Sequence, residues 1–186
     1  MVFSHDTKSS LAMAADLVNT LPGTVFEGVD QLVAHEDMAA FLAQHPYSGA
    51  ILHDDAELAG VRGIRGRLRT LWDLDRDAAV PVVNEMLADG HALPQLVRHD
   101  PYDWHVHATD DDAPLATRML VEAAMAVVDV IRSDEYSRMR VCEADDCDAV
   151  YVDYSRNRSK RYCDTGNCGN RMNVNAYRRR KAEESA

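Results

Sequence analysis

The sequence predicts a mainly α-helical protein: a helical N-terminal domain over residues 1–135 with one small β-hairpin, then a module at 136–186 organised around four cysteines. Three observations lead there. Apolar residues recur at three- and four-residue spacing through most of the first 135 positions. All four cysteines lie in the last third, as two C-x4-C pairs separated by fifteen residues. Charge divides at the same place. Tyr136–Ala186 holds eleven Lys or Arg against eight Asp or Glu, net +3, whereas the other 135 residues hold nine against 23, net −14.

Taken in order, Leu11, Ala14, Ala15, Val18 and Leu21 give a first helix, ended by Pro22-Gly23. Asp30 is placed to cap a short helix with Leu32 and Val33 inward. Glu36 to Gln44 carries Met38, Phe41 and Leu42 and stops at Pro46. A long helix starts near Asp54 or Asp55, with Leu58, Val61, Leu68, Leu71 and Trp72 on one side. Gly60, Gly63 and Gly66 weaken its early turns, each by up to about 1 kcal/mol against Ala. Of Arg65, Arg67 and Arg69, at most one points inward. Ala78 to Ala88 is the next helix, with Pro81 acceptable only in its first turn. Between Leu93 and Thr109 the pattern becomes LVRH and WHVHAT around Asp100-Pro101-Tyr102-Asp103, a hairpin turning at the proline. His105 and His107 are alternate residues of its second strand and lack a third residue at ligand spacing. Pro114 opens a helix of about twenty residues with Leu115, Met119, Ala123, Val127 and Ile131 along one stripe.

Hydrophobic residues make up 46% of 186, enough for a packed core and too many for a disordered chain. The most apolar stretch, Pro114 to Arg132, carries Arg118, Glu122 and Asp129, which makes it a buried helix and not a membrane span. The start lacks a basic n-region followed by a long apolar run, so no secretory signal is expected and the chain reads as cytoplasmic.

The cysteines carry the most specific chemistry. Cys142, Cys147, Cys163 and Cys168 offer two short-spaced pairs, the arrangement that places four thiolates about 2.3 Å from one tetrahedral Zn²⁺. Disulfides do not suit a cytoplasmic chain, and a redox pair would usually be C-x-x-C. Iron–sulfur remains the other use for four thiolates. Four protein ligands leave no open coordination position, so a single zinc here is structural.

The stretch Val141–Lys181 resembles the CGNR zinc-finger family, through Cys142, Cys147, the YVDYSRNRSKRYC segment, Cys168-Gly169-Asn170-Arg171 and the arginine-rich helix that follows. The N-terminal part resembles the domain usually found ahead of that finger, often labelled a "putative stress-induced transcription regulator"; its Asp-Leu-Val-Asn-Thr hallmark is present as Asp16 to Thr20. The resemblance implies a four-cysteine zinc finger and a DNA-binding transcription regulator of the stress response.

The residues allow that role without dictating it. Tyr154–Lys181 holds nine basic residues against Asp164 alone, net +8. Arg156, Arg158, Lys160 and Arg161 lie between the cysteine pairs, and Arg178, Arg179, Arg180 and Lys181 end the helix. Cations favour a helix C-terminus, but this cluster exceeds what capping needs and is suited to phosphate. Asn157, Asn173 and Asn175 are candidates for base edges. Asn170 suits a thiolate or the loop, Arg171 suits Asp153 or Asp164, and Gly169 would allow close approach beside the metal. In the acidic domain Asp16 and Asn19 share a helical face, either as contacts for a small effector or as a tie between helices. A homodimer would suit two half-sites. A zinc-stabilised RNA- or protein-binding module is the rival reading. An enzyme has less to recommend it, since G-x-S-x-G, P-loop, H-E-x-x-H and glycine-rich nucleotide motifs are absent.

Overall fold

The computed structural model describes residues 3–25, 28–98 and 104–184. Four capped helices come first. In α1 (His5–Asn19) the Ser4 hydroxyl accepts the Thr7 amide hydrogen, and the apolar side of the helix buries Leu11, Ala14, Ala15, Leu17 and Val18. α2 (His35–Gln44) follows, then α3 (Asp55–Asp73) capped by Asp54 and α4 (Arg76–Asp89) capped by Asp75. β1 (Gln95–Val97) and β2 (His105–His107) pair antiparallel with Leu96 opposite Val106. The expected proline turn between them lies outside the described residues.

α5 (Leu115–Arg132) is the axis of the domain, with α1, α3 and α4 packed around it. Its residues explain the position: Leu115, Met119, Leu120, Val121, Ala123, Ala124, Ala126, Val127 and Val130 are all buried, an apolar surface too wide for one neighbour to cover. Each Leu or Val so placed contributes about 1.5–3 kcal/mol. α4 reaches α5 through Gly90, where an added Cβ would sit 2.1 Å from Val121 Cγ2. Among the described residues no helix is long and apolar enough to cross a membrane.

Two local expectations need correction. Residues 31–34 are not helical; Leu32 is buried but Val33 is 54% exposed. The Asp30 carboxylate is taken by the buried Arg65 at 2.7 and 2.9 Å, and Asp37 reaches back to the Val33 and Ala34 amides to begin α2. Pro81 lies in the second turn of α4, because Asp75 starts that helix earlier than the apolar spacing suggested. Its ring is exposed, so the lost amide donor stays at the surface.

After α5 a 3₁₀ turn (Tyr136–Arg138) leads into β3 (Met139–Val141), which pairs antiparallel with β4 (Val150–Val152). Strand alternation divides this hairpin between two clusters. Met139, Val150 and Val152 face the helices and belong to the same buried core as α1, α3 and α5, with Val141 packed against it. Tyr151 and its neighbour Ala149 face the other way, into a second cluster with the four cysteines. The last described element is α6 (Cys168–Glu183), of which only Cys168 is buried.

A polar seam interrupts the helical core. Arg118, 4% exposed, donates to the carbonyls of Ser48, Ala50 and Ala113. One turn on, burial pushes the Glu122 carboxyl above the usual carboxylate range, against the opposing effects of the Tyr47 hydroxyl bonded to it and the Arg118 and His105 charges nearby. A carboxyl raised in the folded state binds its proton more tightly there than in the unfolded chain. Its contribution is therefore present below the ordinary value of 4.5 and lost as pH rises through the folded value. Glu122→Gln, which stays neutral, should flatten the fall in melting temperature above about pH 4.5, read by thermal unfolding from pH 4 to 8. An unchanged pH profile would remove Glu122 as the source. Asp30 acts in the other direction: Arg65 holds its pKa at about 2, so its contribution is lost only as pH falls toward that value.

Candidate metal centre and basic face

Two loops and one helix end bring the four thiols together. Cys142 continues β3, its amide bonded to Ala149 O at 2.8 Å. Cys147 follows a tight turn in which its amide reaches Ala144 O at 3.1 Å. Cys163 closes the intervening loop and donates its amide hydrogen to Cys142 Sγ at 3.4 Å. Cys168 is the first residue of α6, entered through Asn167 in the left-handed region at φ 50°. All four are buried, none is in a disulfide, and their Sγ atoms lie within 4.8 Å of one another.

That spacing can be tested against a metal. Four thiolates 2.3 Å from a tetrahedral ion stand about 3.8 Å apart. Cys147 and Cys163 are 3.7 Å apart, and Cys163 and Cys168 are 3.6 Å apart. The residues fit one tetrahedral ion. Burial pushes the Cys147 thiol up, and Cys163 up to about 11. Burial also opposes ionisation of Cys168, but hydrogen bonds from Arg171 and the neighbouring thiols outweigh it and hold this thiol below its ordinary value.

The Cys168-Gly169-Asn170-Arg171 tetrapeptide braces this centre. Arg171 donates to Cys168 Sγ at 3.1 Å and to Gly166 O at 3.2 Å, and its other amino group pairs with Asp146. Asp146 takes the place expected of Asp153 or Asp164. Asp153 is fully buried and accepts the Ser155 and Lys160 amides, while Asp164 pairs with Lys160. Asn170 holds the loop, donating to Asn167 at 2.7 Å. The close approach to the cysteine cluster is at Gly166, where a Cβ would stand 3.0 Å from Cys168 Sγ; at Gly169 it would make only ordinary contact with Tyr162.

The eight basic residues separate into two sets. Arg158 pairs with Glu135 at 2.9 Å, Lys160 with Asp164 at 2.5 Å and Arg161 with Glu143 at 2.6 Å. Lys160 also lies over the Tyr151 ring and Arg161 over Tyr162. Arg156, Arg178, Arg179 and Arg180 are exposed and pair with no acid among the described residues. Lys181 is exposed beside them. A concavity of about 350 Å³ runs between the loop and the start of α6, lined by Lys160, Arg161, Tyr162, Asn167 and Asn170.

Asp16 and Asn19 are not brought together. Asp16 is exposed and bonds His45 at 3.0 Å. Asn19 is buried, and its carboxamide takes both backbone groups of Val150: the Val150 amide donates to Oδ1 at 2.8 Å and Nδ2 donates to the Val150 carbonyl at 2.9 Å. The end of α1 is thus tied to β4 beside the metal centre. Three further links run across the same seam. Trp72 Nε1 reaches Tyr151 O, Arg69 reaches Asp148 O, and the Asp148 amide reaches Thr24 O. These partners are main-chain atoms, which side-chain patterning does not announce; the cues to Asn19 are a polar residue beside the buried Leu17 and Val18 and its place in the Asp16–Thr20 hallmark.

Two family models match the chain. The one described as ABATE, "Putative stress-induced transcription regulator", matches residues 11–134, more than half of the chain. The one described as the CGNR zinc finger matches residues 138–181. No curated protein matches.

Proposed function

This chain belongs to the ABATE family and carries a CGNR zinc finger, and we propose that it is a DNA-binding transcription regulator whose finger is held by one Zn²⁺ per chain. Cys142, Cys147, Cys163 and Cys168 would hold the ion. With four thiolates around it the metal has no open position, so its chemistry is structural: it fixes the loops and the start of α6. The protein acts by binding and not by catalysis, in the cytoplasm.

The observation that carries the reading is the end of α6. Arg178, Arg179 and Arg180 are exposed and, among the described residues, without acidic partners on a helix that buries one residue. Arginines used for packing or ion pairs would not be left this way, and together with Arg156 and Lys181 they are suited to phosphate. Arg158, Lys160 and Arg161 join them only by exchanging Glu135, Asp164 and Glu143 for DNA. The N-terminal domain regulates this binding, by sensing a small effector or by mediating a homodimer. Of the two residues expected for an effector, Asp16 is the one that a ligand can reach. Asn19 links the sensing domain to the finger.

The test is a titration of the zinc-loaded protein against mixed-sequence duplex DNA at several salt concentrations. Affinity should fall with a log–log slope of about −0.9 for each phosphate neutralised. Replacing Arg178, Arg179 and Arg180 together by Ala should flatten that slope by up to roughly three units and weaken binding to all duplexes alike, with zinc content unchanged. Equal affinity and slope in the triple variant would leave the helix end as a solvated terminus.

A further inference from the structure

α6 presents two faces of different chemistry. Cys168 is buried, and Met172 four residues on packs against the cysteine cluster, so this side of the helix faces the finger. The opposite face carries Asn173, Val174 and Tyr177. Val174 is 47% exposed and Tyr177 58%. Asn173 is exposed, and its carboxamide has no hydrogen-bond partner among the described residues. Arg178 lies four residues beyond Val174 and Arg180 three beyond Tyr177, so cations flank this stripe on both sides. Asn175 falls on the other side of the helix, and Asn170 is already engaged with Asn167. Tyr177 lies within one turn of both Asn173 and Val174, and no packing explains an amide, a branched aliphatic and a phenol on this exposed side of a helix otherwise dominated by charge.

We propose that this outer face of α6 is the sequence-reading surface, entering the major groove of duplex DNA with Asn173 and Val174 set against an A·T-containing step; this rests on the DNA-binding function proposed above. The groove is about 12 Å wide and admits one helix. A carboxamide can make a bidentate pair with the N6 and N7 edge of adenine, and an aliphatic side chain can cover the thymine methyl; these two edges belong to the same base pair or to adjacent ones. Arg178 and Arg180 then reach the phosphates on either side, which orient the helix without reading sequence. Clamping at Cys168 leaves the outer face unobstructed.

The experiment is selection of bound sequences from random duplex DNA with zinc-loaded wild type, Asn173→Ala and Val174→Ala. Both substitutions put a better helix former on an exposed position, so a loss cannot be ascribed to unfolding of α6. Wild type should enrich a motif containing an A·T pair, and each variant should lose preference at that pair and bind the selected site roughly tenfold more weakly. Mixed-sequence affinity and salt slope should stay at wild-type values, unlike those of the triple arginine variant. Base analogues separate the two contacts. Replacing adenine by 7-deazaadenine should weaken wild type but not Asn173→Ala, and replacing thymine by uracil should weaken wild type but not Val174→Ala. A motif that both variants retain, or wild-type binding with no motif, would overturn this inference and leave DNA binding intact. Wild type that binds no duplex at all would overturn both.

Discussion

Cys163→Ser is expected to lower bound zinc from one ion per chain to none and to melt α6, while α1 to α5 stay folded. The second cluster holds little besides the cysteines: among the described residues Ala144, Ala149 and Tyr151 are its other buried members. So small a core cannot hold its loops unaided, and a structural zinc contributes about 10–16 kcal/mol in comparable fingers. Past its first two turns every described residue of α6 except the half-buried Ala176 is exposed. A helix of this length, polar over most of its surface, is marginal in water once its anchored end is released. The β3–β4 hairpin should survive, because Met139, Val150 and Val152 belong to the helical core. Metal analysis should read zero, helical circular dichroism should fall by the share of α6, and trypsin should cut between Tyr154 and Lys181 but not within α1 to α5. Full zinc retention, or digestion spreading through α5, would contradict this division.

The second large effect is expected at Asn19. Asn19→Ala removes both hydrogen bonds to Val150 and leaves a buried amide and a buried carbonyl without partners. Each unsatisfied group costs about 1–3 kcal/mol, so a loss of roughly 2–6 kcal/mol is expected, with the hairpin beside the cysteine cluster loosened from α1. Asn19→Asp separates the two bonds. A carboxylate still accepts the Val150 amide but cannot donate to its carbonyl, so the variant should be destabilised at neutral pH and partly recover in acid, where the carboxyl regains a proton to donate. Asp16→Ala is the comparison. It removes one exposed contact to His45, worth about 0–1 kcal/mol. Thermal unfolding in which Asn19→Ala and Asp16→Ala behave alike would show that the tie carries nothing.

The helices and the metal centre were legible because their signals are local. Apolar spacing marks Leu115 to Val130 as one buried helix, and the next element need not be known to see it. Two C-x4-C pairs state a tetrahedral set whatever fold surrounds them. Asp30 and Pro81 were misjudged for the reason that makes helix ends hard to place: a cap depends on which carboxylate is still free. Arg65 had claimed Asp30, and Asp75 had begun α4 early.

From the sequence alone came the helical class, the four cysteines that cluster, the concentration of positive charge after Tyr154, and the resemblance carried by Asp16–Thr20 and Cys168–Arg171. Tertiary structure decided how those parts are joined. It showed Met139, Val150 and Val152 completing the N-terminal core, Asn19 holding Val150, Arg171 braced on Asp146, and three of the loop cations already paired with Glu135, Asp164 and Glu143. The physical reason is the range over which each interaction is specified. Periodicity and ligand spacing act within a few residues, where the sequence is itself the geometry. A hydrogen bond from residue 19 to residue 150, or an ion pair from 135 to 158, exists only after the chain has folded back to bring its partners within about 3 Å.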